Sequence, residues 1–150
     1  MVDLFGGNPD SLLASIADSD EPVQLLDTTL RDGEQAPGVS LIPEEKADIA
    51  RSLDRAGIGF IEAGSACTGE GERETIRRVT DLDLDARPSS FARVLGRAID
   101  LAHDCGVDRV TFVALAHAKH VERNVGPTRD QRAESSAHLV VYATDQDIGV

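Results

Sequence analysis

The chain has 150 residues, 27 of them acidic and 15 basic, for a formal net charge of -12. That balance excludes the basic patch needed to bind nucleic acid or an anionic membrane, while the length allows one domain with a real core. Only Lys46 and Lys119 are lysines, which fits either a halophilic cytoplasm or ordinary acidic solubility in an arginine-rich proteome. Cys67 and Cys105 have neither metal-ligand nor disulfide-framework spacing, so a reducing compartment is expected. No apolar run reaches the ~20 residues of a membrane span and the acidic start is unlike a signal peptide, so the expected location is cytoplasmic.

Residues 1–21 read as a lead-in, either a short helix from Asp10-Ser11 to Ile16 or a loose tail. Val23 to Leu26 reads as a short buried strand. Pro43 to Ala56 is an amphipathic helix, with proline at its first position, Glu44 and Glu45 in its first turn and Gly57 past its end. Ile58–Ala63 is a second strand and Gly71–Val79 a second helix. Ala86–Ala92 is a third strand, which Pro88 should distort by removing a ladder donor. Arg93–Cys105 is a third helix and Arg109–Ala114 a β-prone fourth strand. Thr128–Asp145 is a fourth helix, and Ile148-Gly149-Val150 begins a fifth strand. The alternation predicts an α/β fold of about four βα units with parallel strands.

The chemistry gathers at the strand ends. Leu26-Asp27-Thr28-Thr29-Leu30-Arg31-Asp32-Gly33-Glu34-Gln35 follows the first strand, at the edge where α/β proteins bind ligands. Asp32 is suited to a hard divalent cation and Arg31 to an oxyanion or carboxylate. The structural alternative is an N-cap aspartate beside a surface arginine. Glu62 ends the second strand, Arg93 follows the third and His120 the fourth; on a barrel these points ring one mouth.

Residues 26–79 resemble the aldolase-type TIM barrels of the 2-isopropylmalate, citramalate and homocitrate synthases and of hydroxymethylglutaryl-CoA lyase. The resemblance rests on Asp27-Thr28-Thr29-Leu30-Arg31-Asp32-Gly33-Glu34-Gln35 and on Pro43-Glu44-Glu45-Lys46. It continues through Ile61-Glu62-Ala63-Gly64-Ser65 and Gly69-Glu70-Gly71-Glu72-Arg73-Glu74. It implies the N-terminal half of a (β/α)8 barrel, with residues 22–150 as a partial catalytic domain, because a complete barrel needs about 200–250 residues. The implied reaction is a Claisen-type condensation of acetyl-CoA with a 2-oxo acid.

By that resemblance Asp32 is the ligand to a divalent metal, Mg²⁺ or Mn²⁺ with Zn²⁺ as the alternative. Arg31 stabilises the oxyanion, and Gln35, Arg93 and His120 contact substrate. Glu62 orients substrate or relays a proton, unless it pairs with an arginine and is purely structural. Asp27 braces the loop. The family's other metal ligands, a His-x-His pair and an asparagine on later strands, have no counterpart, since the histidines are His103, His117, His120 and His138. His117 and His120 alone do not make a zinc site. Leu115, His117 and Ala118 depart from the family pattern of proline, serine and aspartate. The expected function is therefore that of a truncated synthase homologue, inactive alone. The alternatives are a half-barrel that assembles with itself or a complementing chain, and a non-functional remnant.

Overall fold

The structure, a computed structural model, describes residues 23–113 and 128–150. Strands β1 (Leu26–Asp27), β2 (Phe60–Gly64), β3 (Arg87–Ala92) and β4 (Arg109–Phe112) form one sheet in sequential order, every pair parallel. Helices α1 (Pro43–Arg55), α2 (Glu70–Thr80) and α3 (Gly96–His103) are the crossovers, and α4 (Arg129–Thr144) follows β4. A parallel bridge joins Arg109 to Gly149, so the chain returns beside β4 where the fifth strand is expected. The α/β expectation of four βα units holds. The lead-in at 1–21 and the Ala114 end of the fourth strand lie outside the described residues.

Local sequence explains the elements. Pro43 opens α1, the Glu45 carboxylate accepts the Ile42 N–H at 3.0 Å, and Gly57 takes φ +82° just past the helix end. Thr128 and Gln131 cap α4 reciprocally. β2 is buried at all five positions, as a central parallel strand should be. Its Ile61 packs with Leu30, Ala50, Ile76, Val79, Ile99 and Val110 in one core.

Three expectations are corrected. Val23 and Leu25 are 77% and 58% exposed, and the strand is confined to Leu26–Asp27. Among the described residues β1 pairs with β2 alone and is an edge, with no described strand on its other side. The third helix begins at Gly96, because Arg93 to Leu95 form a tight turn closed by Leu95 N–H to Arg93 O at 2.7 Å. Pro88 leaves β3 regular. Its carbonyl accepts the Asp108 N–H at 3.1 Å, so its nitrogen faces β4 one residue before that pairing begins at Ser89–Arg109, and no ladder bond is lost. The irregularity lies instead in β2, where Glu62 pairs with Ser89 and Gly64 with Ser90, leaving Ala63 as an extra residue.

At the opposite end of the sheet from these loops, Phe60 is buried with the Arg87 and Arg109 guanidiniums each 4.3 Å from its ring centroid. Ile76 is fully buried between α2 and the sheet. Ile76→Ala should cost about 2–5 kcal/mol of stability, read by urea unfolding of the chain; a loss below about 1 kcal/mol would contradict this account of the core.

Candidate functional site

The turn after β1 is wound on one carbonyl. Thr28 O accepts the N–H groups of Arg31, Asp32 and Gly33 at 3.2, 2.8 and 3.2 Å. Asp27 takes the Thr29 N–H at 2.9 Å and the Thr29 hydroxyl at 3.2 Å, which is the bracing role expected of it. Leu30 is fully buried and pins the turn, so Arg31 and Asp32 are delivered at the strand's C-terminal end.

Arg31 is then fixed from three directions. Its Nε donates to Glu62 Oε2 at 2.6 Å, its Nη1 donates to Asp32 Oδ1 at 2.8 Å, and its guanidinium lies 4.5 Å from the Phe91 ring centroid on β3. Glu62 is fully buried at the middle position of β2, immediately before the bulge, and among the described residues its Oε1 has no hydrogen-bond partner. The pairing of Glu62 with an arginine, the structural alternative, is thus present, and it leaves one carboxylate oxygen unsatisfied. Leaving a buried carboxylate oxygen unpaired is costly.

An open cleft of about 230 Å³ adjoins this pair, lined by Arg31, Glu34, Gln35, Ser65, Thr68 and Glu72. Gln35 is therefore brought together with Arg31. Behind the lining lies Lys46, 1% exposed, whose ammonium is 2.7 Å from Glu34 Oε2 and 3.5 Å from Glu72 Oε2. Glu34 Oε1 accepts the Leu41 N–H at 3.1 Å, and Glu72 Oε1 accepts the Ser65 N–H at 3.3 Å. Burial works against the Glu34 charge, but the Lys46 hydrogen bond, the Leu41 N–H and the ammonium's field outweigh it and hold that carboxyl below its usual value. Gly64 makes room for this arrangement, because a Cβ there would overlap Glu72 Oε1.

Sequence reasoning missed Lys46, Glu34, Glu72 and Phe91 as parts of this site. The available signal was a lysine on the apolar side of α1, next to Ala47, in a chain with two lysines. Arg93 is exposed in the loop after β3 and outside the cleft lining, so it is not drawn into this cluster. His117 and His120 lie outside the described residues, as do Leu115 and Ala118.

The metal expectation can be tested on the donors present. Asp32 is 61% exposed with one oxygen engaged by Arg31, and among the described residues no three His, Cys, Asp or Glu side chains come together to hold a metal ion. With the Glu34 and Glu72 carboxylates engaged by Lys46, Asp32 is the one acidic group left for a metal at the mouth among the described residues, which does not fit a closed metal centre.

Residues 22–150 match the family described as HMGL-like. The chain belongs to that family. It is 44% identical over 126 residues to the (R)-citramalate synthase of Methanocaldococcus jannaschii, covering 84% of this chain and 26% of that protein. It is 43% identical over 129 residues to the 2-isopropylmalate synthase of the same organism, covering 85% and 25%. The hydroxymethylglutaryl-CoA lyase structure from Pseudomonas aeruginosa superposes with a TM-score of 0.69 at 21% identity, covering 84% of this chain and 43% of that one. The HMGL-like chain thus spans about a quarter of the length of its curated relatives and under half of the solved structure. The barrel-half architecture agrees with that superposition. No described helix is long and apolar enough to cross a membrane.

Two substitutions probe the geometry of this HMGL-like site. Arg31→Met leaves the Glu62 charge buried without its partner and should cost about 3–5 kcal/mol. The double variant with Glu62→Leu should recover most of that in urea unfolding, and strictly additive losses would show that the pair is not coupled. Gly64→Ala should drive Glu72 off the strand end and cost about 1–3 kcal/mol, with Gly64→Ala/Glu72→Ala less damaging than the sum of the two singles.

Proposed function

We propose that this chain supplies the N-terminal half of the active-site mouth of a synthase that condenses acetyl-CoA with a 2-oxo acid, of the citramalate or 2-isopropylmalate type. The observation that carries the reading is the guanidinium of Arg31, locked between Glu62, buried inside β2, and Asp32 in the turn after β1. In this reading the reaction belongs to branched-chain amino-acid biosynthesis, leading toward isoleucine or leucine.

The residues have distinct roles. Arg31 stabilises the negative charge that develops on the oxo-acid oxygen as the carbon–carbon bond forms. It is held before substrate arrives, so no reorganisation is needed. Glu62, through its second carboxylate oxygen, accepts a hydrogen bond or a proton from substrate. Gln35 donates to substrate oxygens from the cleft wall, and Asp32 contributes one carboxylate oxygen toward a divalent metal. Arg93 and His120 contact substrate from the loops after β3 and β4. The remaining metal ligands come from polypeptide outside these 150 residues, so the 150 residues alone do not turn over. Identity alone does not separate the two chemistries, at 44% to the citramalate synthase and 43% to the 2-isopropylmalate synthase of M. jannaschii.

A second reading follows from β1. Val23, Leu25 and Leu26 are 77%, 58% and 42% exposed beside a strand edge, and such an edge is covered by further strands, from a second copy or a complementing chain. Size-exclusion chromatography in molar KCl separates the two, since a strictly monomeric folded chain contradicts assembly.

The decisive assay is free-thiol release from acetyl-CoA in molar KCl with Mg²⁺ or Mn²⁺, offering pyruvate and 2-oxoisovalerate in turn. The 150-residue chain alone should give no oxo-acid-dependent release. Mixed with the barrel segment that follows the matched residues in the M. jannaschii citramalate synthase, it should release thiol with one of the two acids. Asp32→Ala should abolish that release. Robust turnover by the chain alone would refute the need for further ligands, and silence from a folded, assembled mixture would refute the synthase reading.

A further inference from the structure

The Lys46 cluster has a chemistry of its own. Two carboxylate residues, Glu34 from the turn after β1 and Glu72 from α2, line one cleft together with Gln35, Ser65 and Thr68, with Arg31 completing the lining. An oxygen-rich wall with two carboxylates is what Mg²⁺ or Mn²⁺ takes, since these ions bind through one or two carboxylates and keep several waters. Yet the space between the carboxylates is filled by an ammonium. Lys46 Nζ sits 2.7 Å from one and 3.5 Å from the other, on a side chain that is fully enclosed.

Burying a lysine is expensive unless its charge is paired, and an apolar residue at this helix position would pack against the sheet without that cost. The ammonium also does more than neutralise. By holding Glu72 it keeps Oε1 on the Ser65 N–H, and by holding Glu34 it keeps Oε1 on the Leu41 N–H. It thereby ties α1 to both loops of the mouth.

We infer that Lys46 is an internal counter-cation and a positioning residue: its ammonium occupies the place a divalent ion would take between Glu34 and Glu72, keeping such ions out of the cleft wall. The exclusion follows from the geometry. Its benefit, that an added ion goes to Asp32, rests on the functional reading above. Arginine at 46 should preserve the exclusion, because it keeps the charge. Methionine should abolish it, leaving two carboxylates with no cation between them.

Mn²⁺ binding by the 150-residue chain, counted by equilibrium dialysis and checked by electron paramagnetic resonance, tests this. Lys46→Met should bind one Mn²⁺ per chain more than the wild type at submillimolar concentration, and Lys46→Arg should bind no more than the wild type. Adding Glu34→Gln to Lys46→Met should remove the new ion. Mn²⁺ should also raise the melting temperature of Lys46→Met more than that of the wild type. A folded Lys46→Met chain with an unchanged count would overturn the inference, as would an extra ion that survives Glu34→Gln. So would a Lys46→Met chain that is unfolded and that millimolar Mn²⁺ does not refold. Failure of the Asp32 assignment is read separately, as a wild-type count that Asp32→Ala does not change.

Discussion

The ion pair between Arg31 and Glu62 is the constraint on which the rest of the mouth depends. A carboxylate with no solvent access is tolerated only with a partner in place, and Arg31 is held to Glu62 at 2.6 Å. The arginine cannot wander without stranding that charge, so its position is set by folding. Everything near it is referred to the same point. Asp32 hangs on a second of its three nitrogens, Phe91 backs it with an aromatic face, and the cleft opens along its edge.

A second charged assembly lies one layer out. Lys46 gathers Glu34 and Glu72, and these hold the backbone of the two loops that frame the cleft. The two assemblies differ in kind. In the inner one an anion is buried and an arginine reaches in to meet it; in the outer one a cation is buried and two partly exposed carboxylates cover it. Adjacent burial of opposite charges limits the net field in a region where an uncompensated charge of either sign would be costly.

How much of this was legible depends on the residue. The helix at Pro43 was readable to within one residue, because proline, first-turn carboxylates and a terminal glycine are local signals with local causes. Arg31, Asp32 and Gln35 were readable as residues following the first strand, and Asp27 as a brace; Glu62, expected to end the second strand, stands inside β2, which runs on to Gly64. The bulge at Ala63 was not readable. Nothing in Phe-Ile-Glu-Ala-Gly marks it, and the more obvious irregularity, Pro88, proved harmless because its nitrogen falls where pairing has yet to start. β1 was misjudged for a related reason, since an apolar run reports what a segment needs and not which neighbour meets that need. Lys46 escaped because its role arises from two partners, 12 residues before it and 26 after, that only the βα crossovers bring together.

The stacked arginines on Phe60 bear on how the molecule would respond to concentrated salt. Pairs such as Arg51–Asp48 and Arg73–Glu70 stand at the surface of α1 and α2, where mobile ions compete with each partner. Arg87 and Arg109 instead lie against the ring of a buried phenylalanine. Dissolved counter-ions cannot intrude between a guanidinium and a ring face in contact with it. Ionic strength should therefore weaken the pairs on the helix exteriors first, with the contacts at the foot of the sheet the last to notice.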